Sequence, residues 1–115
     1  MTDPTEVVVF DIDQLRNVCM EDQELMRELA SALIDDATQQ IPVLQQAIEQ
    51  ADGTGCARLA HYVKGACANV GAVSMATLLK EMECSAKAGD FNACRTSLAH
   101  LTAELQKFAS ETASL

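Results

Sequence analysis

The chain has 115 residues, a length typical of one domain with a single hydrophobic core. Hydrophobic residues make up 49% of the sequence, which favours a folded chain over a disordered one. Aromatic residues are only 3%, and the five glycines and two prolines are too few for an all-β fold with many turns. The formal net charge of −9 argues against nucleic acid or an anionic membrane surface as the main partner.

The cysteines and the first residues of the chain indicate the cellular compartment of the protein. Five cysteines are present without a C-x-x-C pair, and the acidic start "MTDPTE" lacks the basic region of a signal peptide. No apolar stretch approaches the roughly 20 residues that span a bilayer. The sequence therefore predicts a cytoplasmic protein with free thiols. We expect one domain over residues 1–115, with flexible ends at about 1–9 and 111–115.

The first predicted helix is short and follows "FDIDQL". Asp11 is its predicted N-cap and Gln14 stands at the capping-box position. Phe10 and Leu15 have the spacing of a hydrophobic staple. This helix is expected to end near Cys19.

Two longer helices follow. Asp22 is the predicted N-cap of a long second helix, in which Pro42 is expected to produce a kink. The segment "DGTG", residues 52–55, is expected to break the chain. A third helix is predicted from about Cys56 to Val70, with Gly71 ending it.

Capping residues also delimit the last two helices. Ser74 is the predicted N-cap of the fourth helix, Gly89 is its C′ residue, and Asp90 caps the fifth. The apolar residues of the fifth helix alternate steps of three and four, as in the seam of a packed bundle: Phe91, Cys94, Leu98, Leu101, Leu105 and Phe108.

His61 lies on the polar face of the third helix. At about 100° per residue it falls roughly 170° from the centre of the apolar arc, so it is expected to face solvent. Lys64, Gly65 and Ala68 follow it at i+3, i+4 and i+7, on the same side. Gly65 costs about 1 kcal/mol of helix stability relative to alanine, which is compatible with close approach of another molecule.

This arrangement suits phosphoryl chemistry. Neutral imidazole is a nucleophile near pH 7, because the unperturbed pKa of histidine is about 6.5. It can hold a phosphoryl group as a phosphoramidate, and a nearby cation such as Lys64 would stabilise the charge. A surface histidine near a surface lysine is nevertheless common, so the helix geometry also fits a site without function.

The stretch "HYVKGACANVGA", residues 61–72, resembles the signature of histidine-containing phosphotransfer (HPt) domains, H-x-x-K-G followed by small residues and Gly-Ala. The resemblance extends to the long preceding helix and to "LLKEMECSAKAGD" after it. It implies an all-α fold, an antiparallel up-down-up-down four-helix bundle with an additional short N-terminal helix.

The resemblance also implies roles for individual residues. His61 resembles the phosphorylated nucleophile, Lys64 the lysine that stabilises the phosphoryl group, and Gly65, with Ala68, the small residues that give a partner access. In one branch of the family a glutamate 22 residues after the histidine bonds the imidazole, and here that position is Glu83. Glu83 has an equally weighted alternative, an ion pair with Lys80 or Lys87 on its own helix.

Other reactive side chains have simpler interpretations. Cys67 is read as a small core residue, Cys84 as an exposed thiol, and His100 as a solvated surface residue. No metal site is predicted, because His61 and Cys67 lie on opposite faces of one helix.

By resemblance, the chain is a phosphoryl carrier in a His–Asp phosphorelay and not an enzyme. No nucleotide-binding motif is present, so the phosphoryl group is expected from a receiver domain, typically on a hybrid sensor histidine kinase, and passes to a response-regulator receiver. The chain needs no cofactor of its own, since the receiver carries the Mg²⁺, and is expected to be monomeric. Ile12, Leu15 and Met26 are candidates for the docking surface. The alternatives are a non-phosphorylated helical adaptor that binds a kinase or receiver, and a purely structural bundle.

Overall fold

A computed structural model describes residues 8–115 of the chain, which contain five α-helices and no β-strand. The predicted all-α class is therefore confirmed. The helices are α1 (Ile12–Val18), α2 (Gln23–Glu49), α3 (Gly53–Val70), α4 (Val73–Lys87) and α5 (Phe91–Thr112).

The four long helices pack in a closed ring. Helix α2 contacts α3 and α5, and α4 contacts the same two helices from the other side. The connections at 50–52, 71–72 and 88–90 are short, and short connections join antiparallel neighbours. This arrangement is consistent with the predicted up-down-up-down bundle. The short α1 packs on α3 and α2.

Aspartates cap four of the helices. Asp11, Asp22 and Asp90 accept hydrogen bonds from backbone N–H groups of α1, α2 and α5, as predicted. Asp52 does the same for α3 through the N–H of Gly55, so α3 begins at Gly53. The prediction of a break over 52–55 is wrong for its last three residues, because the cap stabilises a first turn that contains two glycines.

The predicted N-cap of α4 is wrong. The helix begins at Val73, and its N-cap residue Ala72 has no side chain that can accept a hydrogen bond. The backbone N–H of Val73 donates instead to the carbonyl of Val9. Ser74 lies inside the first turn, buried, and its Oγ donates to Oε2 of Glu104 on α5 at 3.0 Å.

The N-terminal segment is attached to the end of α3. The backbone N–H of Asp11 donates to the carbonyl of Gly71 at 2.8 Å, so it is not available for a capping box. The side chain of Gln14 donates to the carbonyl of Asn69 instead. Phe10 packs edge-to-face on Phe108, with ring centroids 5.4 Å apart.

Glycines with positive φ end α3 and α4, as predicted. Gly71 has φ of +86°, and the backbone N–H of Ala72 donates to the carbonyl of Cys67. Gly89 has φ of +75°, with an equivalent bond from Asp90 to Ser85. This pattern is a Schellman motif, which satisfies carbonyls that the helix leaves without donors.

Helix α2 continues through Pro42 without interruption, and the kink expected there stays a prediction.

The C-terminal end of the chain is held by helix α5 and by α2. Helix α5 extends to Thr112, whose buried Oγ donates to the carbonyl of Phe108, and Arg27 donates to the carbonyl of Leu115. Packing therefore reaches further into residues 111–115 than predicted. Residues 1–7 lie outside the described part of the chain.

The core runs along the axis of the ring. All the predicted seam residues of α5 after Phe91 are buried, and Phe91 itself packs partly buried against the core. Within residues 8–115, none of the helices combines the length and apolar character that crossing a membrane requires.

Gly65 inside α3 and Gly71 at its C-terminal end make a matched test of this fold. Gly71→Ala should lower the free energy of unfolding by at least about 1 kcal/mol, since alanine is strained at positive φ. Its Cβ would also collide with the carbonyl oxygen of Asp11. Gly65→Ala should raise the free energy by about 0.5–1 kcal/mol. Urea unfolding measures both free energies. Equal effects of the two substitutions would contradict the positive φ of Gly71 and the open helical position of Gly65.

Candidate phosphoryl-acceptor site

His61 projects from the middle of α3 into solvent. Its side chain is 66% exposed, whereas Ala60 and Val63, which flank the exposed face, are buried. Gly65 and Ala68 are exposed on the same side. The predicted orientation of α3 is therefore confirmed, because its apolar residues turn toward the ring interior.

Glu83 of α4 lies buried against this face of α3 and joins three donors. Its Oε1 is 3.1 Å from Nδ1 of His61 and 3.0 Å from Nζ of Lys64. Its Oε2 accepts from Nζ of Lys87 at 3.0 Å. The two alternatives for Glu83, imidazole contact and pairing within α4, are thus both present. Lys80 is exposed and forms no ion pair among residues 8–115.

The contact with Glu83 determines which nitrogen of His61 is available. An ionised carboxylate can only accept hydrogen bonds, so Nδ1 must carry the proton when it bonds to Oε1. In the neutral imidazole the lone pair then lies on Nε2. The geometry therefore leaves Nε2 as the nucleophilic atom.

The ionised state of Glu83 is strongly favoured. Hydrogen bonds from Lys87, Lys64 and His61, in that order, lower the pKa of the Glu83 carboxyl to about 2, while burial acts in the opposite direction. Glu83 is therefore a carboxylate at neutral pH, as the contact with Nδ1 requires.

Cations gather around His61 in a chain of net negative charge. An open cavity of about 520 Å³ lies next to the imidazole, lined by Thr54, Ala57, Arg58, His61, Glu83 and Lys87. Together with Lys64, three of the eight lysines and arginines therefore lie at this site. Sequence reasoning missed Arg58, although its position three residues before His61 places both on one helix face.

Gly65 leaves open space one turn after His61. A Cβ built at this position would meet no atom within 4 Å, so a small side chain would fit without displacing the fold. Tyr62, beside His61 in sequence, is a large exposed apolar side chain on the same helix.

The predicted docking residues are only partly accessible. Ile12 is 37% exposed, but Leu15 is fully buried and Met26 is 3% exposed, so the prediction is wrong for these two. Leu15 is the residue by which α1 packs onto the core, and Met26 belongs to the buried stripe of α2. Besides Ile12, the large exposed apolar residues between α1 and the start of α2 are Val18, Met20 and Leu25.

The remaining reactive residues lie where predicted. Cys67 is buried, and burial, followed by the nearby charge of Asp36, raises the pKa of its thiol to about 12. Cys84 and His100 are exposed. Within residues 8–115, no three potential metal-binding side chains cluster around a common point.

Comparison with known proteins identifies the family. The family model of the Hpt domain matches residues 28–111, and the chain belongs to this family. The crystal structure of histidine-containing phosphotransfer protein B from Pseudomonas aeruginosa PAO1 has the same fold, with a TM-score of 0.82 at 22% sequence identity. The match covers 96% of this chain and 99% of the other. No curated protein matches the sequence.

Glu83→Gln tests the role of the carboxylate in stability. Because the pKa of Glu83 is lower in the folded chain than its ordinary value of 4.5, its stabilising contribution is complete above about pH 4.5. It is lost as the pH falls toward 2. The free energy of unfolding should therefore fall less steeply over this range in Glu83→Gln than in the wild type. Urea unfolding at several pH values measures the slopes.

The matched control is Glu81→Gln, an exposed position on the same helix with no ion pair among the described residues. It should keep the wild-type slope. Equal slopes for Glu83→Gln and the wild type would contradict the lowered pKa of Glu83 in the folded chain.

Proposed function

We propose that the chain carries a phosphoryl group on Nε2 of His61, between aspartates of receiver domains in a two-component phosphorelay. The observation that carries the proposal is the exposed His61 with its Nδ1 on the buried Glu83 carboxylate. Membership of the Hpt family supports the same function, since its members act as phosphoryl carriers and not as ATP-dependent kinases.

The transfer step is an exchange of bonds at phosphorus. The lone pair on Nε2 attacks the phosphorus of an aspartyl phosphate, the P–O bond to the aspartate breaks, and the carboxylate leaves. No proton has to leave Nε2, because the proton of the neutral imidazole is on Nδ1. The positive charge that develops on the ring is stabilised by the Glu83 carboxylate.

Lys64 contributes charge rather than a bond to phosphorus. Its Nζ is held by Glu83, which places it next to the imidazole, and its side chain is about one quarter exposed. A lysine next to the imidazole stabilises the negative charge on the oxygens of the transferring phosphoryl group. The receiver domain supplies the Mg²⁺ and the remaining catalytic carboxylates, so the chain needs no cofactor of its own.

The docking surface for the receiver surrounds His61. We propose that it consists of the open positions Gly65 and Ala68 with Tyr62 on α3, and Ile12 on α1. Exposed large apolar side chains around an open site favour protein partners. In this proposal the chain is a cytoplasmic monomer that meets a hybrid sensor kinase and a response regulator in turn.

His61→Gln tests the site of phosphorylation. Incubation with a phosphorylated receiver should give the wild type an acid-labile, alkali-stable phosphate, and the variant should acquire none. The variant should unfold within about 0.5 kcal/mol of the wild type, because position 61 is exposed. Phosphate on the folded variant would show that another residue is the acceptor, and a wild type that binds the receiver without accepting phosphate would support the adaptor alternative.

Gly65→Leu tests partner access separately from chemistry. Leucine is a better helix former than glycine, and the space at position 65 is open, so the variant should be at least as stable as the wild type. The added side chain lies one turn from His61, so receiver binding and transfer should fall together. Labelling by the small donor phosphoramidate should persist. Gly65→Ala, whose added methyl group is small, serves as control, and normal transfer by Gly65→Leu would remove Gly65 from the docking surface.

A further inference from the structure

The two lysines on Glu83 bind different oxygens. Lys64 shares Oε1 with Nδ1 of His61, whereas Lys87 binds Oε2. Lys64 comes from the same helix as His61, and Lys87 comes from α4, one turn after Glu83. The carboxylate is therefore held at one oxygen by α3 and at the other by its own helix.

This difference separates the two lysines functionally when His61 carries a phosphoryl group. The group brings negative charge to Nε2, and Lys64 lies three residues from His61 on the same face, so its Nζ can turn from Oε1 to the phosphoryl oxygens. Glu83 then keeps the hydrogen bond from Nδ1 and the bond from Lys87. Lys87 is thus the lysine that stays with the carboxylate while the other one is recruited.

We infer that Lys87 is a positioning residue: by binding Oε2 of Glu83 it holds Oε1 on Nδ1 of His61 and so directs phosphorylation to Nε2. The inference rests on the proposed function, in which His61 is the acceptor. It extends that function by giving a role to a residue that does not itself touch the imidazole.

The surroundings of Glu83 explain why its carboxylate needs to be held. A glutamate side chain has several rotatable bonds, and fixing them costs conformational entropy. Glu83 and Arg58 both line the open cavity, and among residues 8–115 the bond from Lys87 is the only one that Oε2 accepts. Lys64 shares Oε1 with Nδ1 and so does not draw the carboxylate away, but a carboxylate that turns toward Arg58 loses its alignment with Nδ1.

The protonated nitrogen of His61 provides the direct readout. Nitrogen-15 NMR of the unphosphorylated protein above pH 8 distinguishes a proton on Nδ1 from one on Nε2. The wild type should carry it on Nδ1, and Lys87→Arg, which keeps a donor, should do the same. In Lys87→Met the population with the proton on Nε2 should increase. Unchanged Nδ1 protonation in Lys87→Met would overturn the inference.

Lys80→Met is the matched control, because it removes a lysine from the same helix at an exposed position without an ion pair among residues 8–115. It should leave the tautomer of His61 as in the wild type. An equal shift in Lys80→Met and Lys87→Met would mean that the net charge of α4, and not the bond to Oε2, is responsible, and would also overturn the inference. Lys80 is exposed and the side chain of Lys87 is 65% exposed, so Lys80→Met and Lys87→Met should both fold.

Phosphorylation gives the second readout. With a phosphorylated receiver, Lys87→Met should transfer on the order of tenfold more slowly than the wild type, as misplacement of a reacting group predicts, and Lys87→Arg should recover most of the rate. Phosphorus-31 NMR after labelling with phosphoramidate should detect a fraction of phosphate on Nδ1 in Lys87→Met alone. Phosphate on Nε2 only, formed at the wild-type rate, would contradict the role of Lys87. A wild type that accepts no phosphate would refute the proposed function. The NMR measurement of the His61 tautomer would still test whether the bond from Lys87 to Oε2 of Glu83 positions the carboxylate.

Discussion

A single buried carboxylate organises the candidate site of this protein. Glu83 joins α4 to α3 through the imidazole of His61 and the ammonium group of Lys64, and it is held on its own helix by Lys87. A buried carboxylate with no partners would be protonated or would destabilise the fold. Three donors keep it ionised, and the same contacts determine which nitrogen of the imidazole carries the proton.

Helix α3 separates the core residues from the candidate site residues by its two faces. The inward face is made of small and branched apolar residues that pack into the ring, and the outward face carries His61, Lys64, Gly65 and Ala68. Substitutions on the outward face are therefore expected to have little effect on the core. The cations Arg58, Lys64 and Lys87 gather here although the chain as a whole is acidic. A local positive site of this kind suits a negatively charged group on a partner.

The end of α3 shows how local and tertiary interactions combine. Gly71 ends the helix by its positive φ, and its carbonyl then accepts from Asp11 at the start of α1. The next residues, Ala72 and Val73, start α4 without a side-chain cap because Val9 supplies a backbone acceptor. The N-terminal segment thus completes a helix start that the local sequence leaves incomplete. This contact also explains why Ser74 is free to turn inward and pair with Glu104.

Much of this architecture could be predicted from the sequence, because it depends on interactions between residues close together in the chain. Aspartate caps, glycines with positive φ and the spacing of apolar residues determine where most helices begin and end and which face of α3 meets solvent. The motif at residues 61–72 was sufficient to single out His61, Lys64 and Gly65. The family model that matches residues 28–111 agrees with that resemblance.

Only the tertiary structure decided the contacts that depend on how helices pack. The family resemblance named Glu83 as a candidate partner of the imidazole, but its bonds to His61 and Lys64 require α3 and α4 to lie side by side at one particular rotation. The same limit explains the docking residues: Leu15 and Met26 are apolar in sequence, and whether an apolar side chain is buried or exposed depends on which helix covers it. The sequence alone determined most of the helices and the candidate histidine His61, while the packing of those helices decided which side chains surround it.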